Sequence, residues 1–330
     1  MKYNLSDFDF ELPKELIAQT PASPRDHARL LVYDRKIKKI KDDYFYNLEK
    51  YLLPDTTLVL NDSKVEKSRL RFGGTEIFVL ETVNPTTLRA LVRPGRKFIP
   101  GKLTKLDLAD GELEIETVDI DDEGIRTLQL NMPIDDALLD PYRLTPLPPY
   151  IAQDESLSEE YQTVYAHPPG SKAAPTAGLH FTAEQLTLLA KKHPIAKLTL
   201  HVGLGTFAPV KGDIAKHKMH SEEYLISSEA ARLLNTASST TAVGTTSLRT
   251  LESAGPNFSE TSGATDIFIT PGYEFKVVDS LITNFHLPKS TLLMLVAALL
   301  GSVDEMHQIY QHAIKNKYRF YSFGDAMIII

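Results

Sequence analysis

Thr241-Ala-Val-Gly-Thr-Thr-Ser-Leu-Arg-Thr-Leu-Glu252 reads as a short strand, a tight turn and the start of a helix. The apolar run ends at Gly244, and three consecutive hydroxyl residues follow: Thr245, Thr246 and Ser247. In an open α/β sheet such a turn is where ligands sit, because the helix start presents unpaired N–H groups. Three hydroxyls exceed what N-capping requires. Arg249 falls in the first helical turn, against the preference of the helix dipole, which points to a carboxylate or phosphate facing it.

The same alternation of strand and helix runs from about residue 146 to the C-terminus. Helices are predicted at 184–192, 228–237 and 290–300, the last apolar throughout and closed by Gly301. Strands are predicted at 196–202, 241–243, 265–269, 277–281 and 326–330. Toward the N-terminus, 13–19 reads as a short helix beginning at proline. Residues 29–33 and 57–60 are nearly continuous apolar strands, as expected where both faces of a sheet are covered. Between about 70 and 145 the pattern changes to short strands at 76–80, 88–92, 113–117 and 127–130, separated by Gly, Pro, Asn and Asp. No helical period intervenes. The expected fold is therefore α/β: a mixed-sheet main domain made of residues 1–68 and 146–330, with a small all-β, barrel-like domain inserted at 69–145.

Composition narrows the function. The 330 residues contain no cysteine, which removes thiolate nucleophiles, disulfides and zinc–thiolate sites. The longest apolar run, 292–300, falls far short of the ~20 residues that span a bilayer. A soluble, cytoplasmic protein is expected. The net charge of −7 argues against nucleic acid at first sight. Residues 73–143, however, hold 14 acids and 8 bases, so −6 of that charge lies in one block and the rest of the chain is nearly neutral.

Further segments look chemical. Ser171-Lys-Ala-Ala-Pro-Thr-Ala-Gly-Leu-His-Phe-Thr182 is small and polar up to a T-x-x-Q capping box at Thr182 and Gln185. Thr176, Gly178 and His180 within it are candidates to approach a ligand and move a proton. His201-Val-Gly-Leu-Gly-Thr-Phe207 offers Gly203, Gly205 and Thr206 after a strand, although a third glycine is missing and the dinucleotide signal is weak. Thr283-Asn-Phe-His286 places Asn284 and His286 on one side of an extended backbone. His180, His201 and His286 lack helical metal spacing, so no metal is expected. Arg93-Pro-Gly-Arg-Lys-Phe-Ile-Pro-Gly-Lys-Leu-Thr-Lys105 holds five bases and no acid (Arg93, Arg96, Lys97, Lys102 and Lys105) in a turn-rich loop of the acidic block. It reads as a phosphate finger or as a solvated loop.

These segments, with LNDSKV, PLPPYI, YQTVYA, MHSE, FITPGYEFKVVDSLITNFHLPKS and YRFYSFGDAM, closely resemble the S-adenosylmethionine:tRNA ribosyltransferase-isomerases of queuosine biosynthesis. The resemblance covers nearly the whole chain. It implies transfer and isomerisation of the ribosyl unit of S-adenosylmethionine onto 7-aminomethyl-7-deazaguanine in the anticodon loop of tRNA, giving epoxyqueuosine-tRNA, adenine and methionine. S-adenosylmethionine would be a co-substrate, with no further cofactor and a monomer as the working expectation. Acid and base roles would fall to His180, His201 and His286, oriented by Asp62 and Asp325. Thr176, Gly178, Gly203, Gly205, Thr206, Thr245, Thr246, Ser247, Arg249 and Asn284 would hold substrate, and Arg249 would take the methionine carboxylate. Arg93, Arg96, Lys97 and Lys102 would grip tRNA phosphates, and Tyr150, Tyr161 and Tyr165 offer surfaces for stacking. Ala208 stands where the family usually carries Arg. That departure motivates one rival, a non-catalytic tRNA-binding relative; the other is a methyltransferase acting on RNA.

Overall fold

The computed structural model describes residues 3–203, 210 and 212–330. The chain forms two compact units: Met1–Lys64 with Pro148–Ile330, and Val65–Leu147.

The larger unit is built on a nine-stranded mixed sheet. In spatial order its strands are Thr261–Thr265, Glu222–Ile226, Ile195–Leu200, Thr57–Asn61, Thr240–Val243, Ser280–Asn284, Ala326–Ile329, Arg29–Asp34 and Lys39–Tyr44. The four strands from Ile195–Leu200 to Ser280–Asn284 run parallel, and antiparallel pairs close both edges. Successive residues enter opposite cores, as the period of two in a strand requires. Leu31 and Tyr33 pack with the helices Thr291–Leu300 and Val303–Lys315, whereas Leu30 and Val32 pack with Phe45, Leu48, Phe181 and Leu189. Covering on both faces explains the unbroken apolar runs of the central strands.

Local signals are honoured where capping chemistry is strong. Thr182 Oγ1 accepts from Gln185 N at 3.1 Å and starts the helix Ala183–Leu189. The glutamine amide donates to Phe45 O at 2.9 Å and not back to Thr182, so half of the expected box forms. Ser227 and Ser290 cap their helices, and Gly301 closes Thr291–Leu300 at φ 74°. The predicted helix at 13–19 is only a 3-10 turn, Lys14–Leu16. The predicted strand at 265–269 is displaced to Thr261–Thr265, where small residues pair with Glu222–Ile226. That at 277–281 shifts to Ser280–Asn284, because Val277 and Val278 donate their N–H groups to the buried carboxylate of Glu252 and not to a ladder.

The smaller unit is a seven-stranded antiparallel sheet, in the order Arg143–Leu144, Arg69–Phe72, Thr75–Asn84, Thr87–Arg93, Arg126–Leu130, Glu112–Ile120 and Leu103–Asp107. Register shifts at Val79/Glu81, Thr82/Asn84 and Thr127/Leu128 add curl. The order has two ends, so the sheet stops short of a closed barrel. Its apolar core includes Leu70, Leu88, Phe98, Leu113 and Leu128.

Candidate active site

A cavity opens at the carboxyl ends of the neighbouring parallel strands Thr240–Val243 and Ser280–Asn284. Open α/β sheets bind ligands at this end, where strands give way to turns. Pro175–Ala177, Gly244–Thr246 and Thr283–Leu287 line it together. Gly244 sits at φ 87°, a left-handed conformation that a side chain would strain. It also supplies no capping side chain to the helix Thr245–Ala254. The first N–H groups of that helix are thereby left for an anion.

Asn284 is the centre of the far wall. Its Nδ2 donates to Tyr321 O at 3.1 Å, a carbonyl that can only accept, and this fixes which way the amide points. The same Nδ2 lies 3.2 Å from His180 Nε2, which must therefore accept. His180 is a neutral imidazole: burial, helped by the positive charges of Arg319 and Arg25, lowers its pKa to about 3. Its ring packs on Phe45, 5.1 Å between centroids. The remaining polar atom of Asn284, Oδ1, is buried with no hydrogen-bond partner. An orphaned acceptor costs about 1–3 kcal/mol, which a ligand donor would recover.

His286 also lines the cavity. Its Nε2 pairs with Thr283 Oγ1 at 2.9 Å and its backbone N–H donates to the Tyr310 hydroxyl at 3.0 Å. Burial lowers its pKa to about 3 as well. Tyr150, Tyr321 and Ser322 close the remaining side, with Tyr150 Oη 2.8 Å from Ser322 Oγ. Tyr321 and Ser322 were not among the predicted residues. Tyr321 adopts φ 72°, held by its N–H on Phe285 O and its carbonyl under Asn284. Nothing in the residue type announces a left-handed tyrosine; only the turn glycine, Gly324, whose Cβ would lie 2.5 Å from Arg319 O, marks the bend.

Other predicted residues go elsewhere. Arg249 is buried and does not line the cavity; its Nη1 pairs with Glu222, whose Oε1 accepts from Gly203 N at 3.0 Å. A protein carboxylate thus occupies the group expected to hold the methionine carboxylate. Ser247 Oγ donates back to Val243 O at 2.8 Å, leaving no hydroxyl proton for a ligand. Gly178 makes room for protein: a Cβ there would meet the Tyr165 hydroxyl at 2.0 Å. His201 packs against Gly170 and lines a separate depression with Glu223 and Ser262–Ala264. Asp62 accepts from Thr199 Oγ1 at 2.7 Å, not from a histidine. Asp325 braces the backbone, taking Arg29 N at 3.0 Å and Arg319 N at 2.7 Å. Gly205, Thr206 and Ala208 lie outside the described residues. Among the described residues, Thr176, Thr245, Thr246, Asn284 and His286 are the predicted ones that line one cavity, with His180 directly behind it.

The sequence signature of the family described as "Queuosine biosynthesis protein" matches residues 5–329. The chain belongs to the queuosine biosynthesis protein family. It is 48% identical, over 98% of both chains, to a Clostridioides difficile protein named S-adenosylmethionine:tRNA ribosyltransferase-isomerase. A Thermosipho africanus protein of the same name is 49% identical over 98% of this chain and 99% of its own. The crystal structure of an S-adenosylmethionine tRNA ribosyltransferase from Thermotoga maritima superposes with a TM-score of 0.57 at 39% identity, covering 98% of this chain and all of the other.

In this queuosine-family chain the basic loop belongs to the smaller unit. Phe98 is fully buried and anchors it, while Arg93, Arg96, Lys97 and Lys102 remain at least partly open to solvent. Lys97 Nζ donates to Thr75 Oγ1 at 2.8 Å; Arg93, Arg96 and Lys102 form no ion pair among the described residues. Of the candidate stacking tyrosines, Tyr150 reaches the cavity, whereas Tyr161 is fully buried against Phe323.

Proposed function

We propose that this chain is an S-adenosylmethionine:tRNA ribosyltransferase-isomerase of queuosine biosynthesis. It transfers and isomerises the ribosyl unit of S-adenosylmethionine onto 7-aminomethyl-7-deazaguanine in the anticodon loop of tRNA. The products are epoxyqueuosine-tRNA, adenine and methionine. The observation that carries the reading is the convergence of three distant turns on one cavity whose wall holds a buried, unpartnered amide oxygen, Asn284 Oδ1.

The arrangement suits a sulfonium nucleoside. The uncapped helix start at Gly244–Thr246 takes the amino-acid carboxylate, replacing the predicted Arg249. Asn284 Oδ1 accepts from an N–H or O–H of the nucleoside, and Thr176, Thr245 and Thr246 position its ribose. The sulfonium acidifies the adjacent ribose methylene, and a water-poor cavity favours the ylide-like carbon that results. His286 faces the substrate as a neutral imidazole able to accept or relay a proton; His180 holds Asn284 in register from behind. Residues 65–147 act as an inserted β domain whose loop at 93–102 contacts tRNA phosphates. A tRNA substrate fits a cytoplasmic protein.

The test is incubation with S-adenosylmethionine and tRNA bearing the 7-aminomethyl-7-deazaguanine precursor, followed by mass spectrometry of nucleosides and small products. Adenine and methionine in equal amounts are expected. S-adenosylhomocysteine in their place identifies methyl transfer, and tRNA binding without adenine identifies a non-catalytic relative.

A further inference from the structure

Resting on the ribosyl-transfer reading, we infer that Tyr44, Tyr46 and His27 form an aromatic platform that stacks an unpaired base of the RNA loop beside the target base. Tyr44 and Tyr46 are parallel, 5° apart with centroids at 5.4 Å, and His27 continues the row at 5.2 Å from Tyr46. Both tyrosines stay nearly half exposed, at 46% and 47%, and His27 is open to solvent too. Exposed rings packed on one another leave outer π-faces in water, and bases of any sequence stack on such faces.

The register of the sheet places this row at the cavity's end of the molecule. Asn284 pairs with Ala326, Ala326 with Leu30, and Leu30 with Asp43, so Tyr44 continues past the same sheet end as Asn284. Three strand spacings separate them, about 14 Å. The connection is also direct along the chain: Phe45, between the two tyrosines, packs on His180 behind Asn284.

Charge at the platform favours stacking over phosphate capture. Asp43 spends its carboxylate on Tyr44 N, Asn47 and Tyr51, and Asp42 on His312 and Tyr318. Arg29 lies directly opposite Tyr44 in the ladder, on the same face, and stacks 3.7 Å over the Tyr318 ring. Its Nη1 donates to Asn316 O at 2.6 Å, and it forms no ion pair among the described residues.

The experiment uses the full chain and an anticodon stem-loop RNA carrying 2-aminopurine at the loop positions flanking the target base. Wild type should quench that fluorescence on binding. A Tyr44→Ala/Tyr46→Ala variant should bind at least about 5-fold more weakly and lose the quench, by the same factor at about 50 and about 200 mM salt. Tyr44→Phe/Tyr46→Phe should retain both, since the rings remain. The thermal midpoint and S-adenosylmethionine binding of the alanine variant report that it is folded. Unchanged RNA affinity and quench in a folded alanine variant overturn the platform. So does an equal loss for a loopless duplex, which would indicate a phosphate contact. Failure of the underlying activity reads out separately, as wild type that binds the stem-loop but releases no adenine.

Discussion

The cavity of the larger unit and the basic loop of the smaller one handle charge in opposite ways. Among the described residues no Lys, Arg, Asp or Glu lines the cavity: Arg249 pairs with Glu222, Asp325 braces backbone N–H groups, and both histidines are neutral. What remains is a helix start, hydroxyls and one unpartnered amide oxygen. The loop at 93–102 instead holds its cations in water on a buried Phe98. An enclosed site built from a helix start and hydrogen-bonding groups selects by hydrogen-bond matching and is less screened by salt; a solvated cationic loop binds polyanions without discrimination and weakens as salt rises. On the proposed function the two regions divide specificity from grip.

The largest disturbance should come from freeing a charge near the cavity. Arg249→Met strands the buried Glu222 carboxylate and is expected to cost about 3–5 kcal/mol in urea unfolding. Adding Glu222→Gln should restore most of that; a double variant no more stable than the single one would show that the pair is not acting as a unit.

Next, Asn284→Asp replaces the donor to Tyr321 O with a carboxylate, and adenine release should fall by about 100-fold, roughly 2.7 kcal/mol. Activity within about 2-fold of wild type would remove Asn284 from the site.

On the loop, Arg96→Glu/Lys97→Glu should weaken tRNA binding about 10-fold at low salt and lower the slope of log Kd against log salt by about 1 for each phosphate no longer neutralised. The S-adenosylmethionine affinity should not change. An unaltered salt slope would separate the loop from tRNA.

The histidines sharpen the contrast through pH. Both have folded values of about 3, below the 6.5 of the free side chain. Well above 6.5 neither the folded nor the unfolded chain holds a proton at these rings, and stability is flat. As pH falls from 6.5 toward 3 the unfolded chain takes up protons that the folded chain refuses, so stability is lost. His180→Gln should flatten that loss measurably in denaturant midpoints compared between about pH 5 and about pH 7.5; an identical slope would mean that His180 is not held neutral by folding.

The smallest effect belongs to Ser247→Ala. Its hydroxyl is spent on Val243 O, so turnover should stay within about 2-fold and stability within about 1 kcal/mol.

Much of the fold was legible because it rests on local chemistry. Central strands announce themselves as apolar runs and helix starts as Thr or Ser caps, as at Thr182, Ser227 and Ser290. The strand Glu222–Ile226, one in from the sheet's edge, and the shift of 277–281 to Ser280–Asn284 were not legible, since pairing partners and the Glu252 carboxylate decide them. The site was legible as segments and not as roles. The glycine and hydroxyls at 244–247 and the alternation of Asn284 and His286 about Phe285 point to segments that line the cavity. Residue type alone cannot tell that Arg249 has a protein partner 27 positions away, that Gly178 yields to Tyr165, or that Tyr321 bends left-handed into the wall.

The two rims of the nine-stranded sheet carry a consequence for handling the protein at high concentration. Lys39–Tyr44 is KIKDDY, four charges in six residues, and Thr261–Thr265 is TSGAT, small and without bulky apolar groups. Exposed ladders of that make-up are poor templates for a tenth strand from a neighbouring molecule. Self-association should run through some other face.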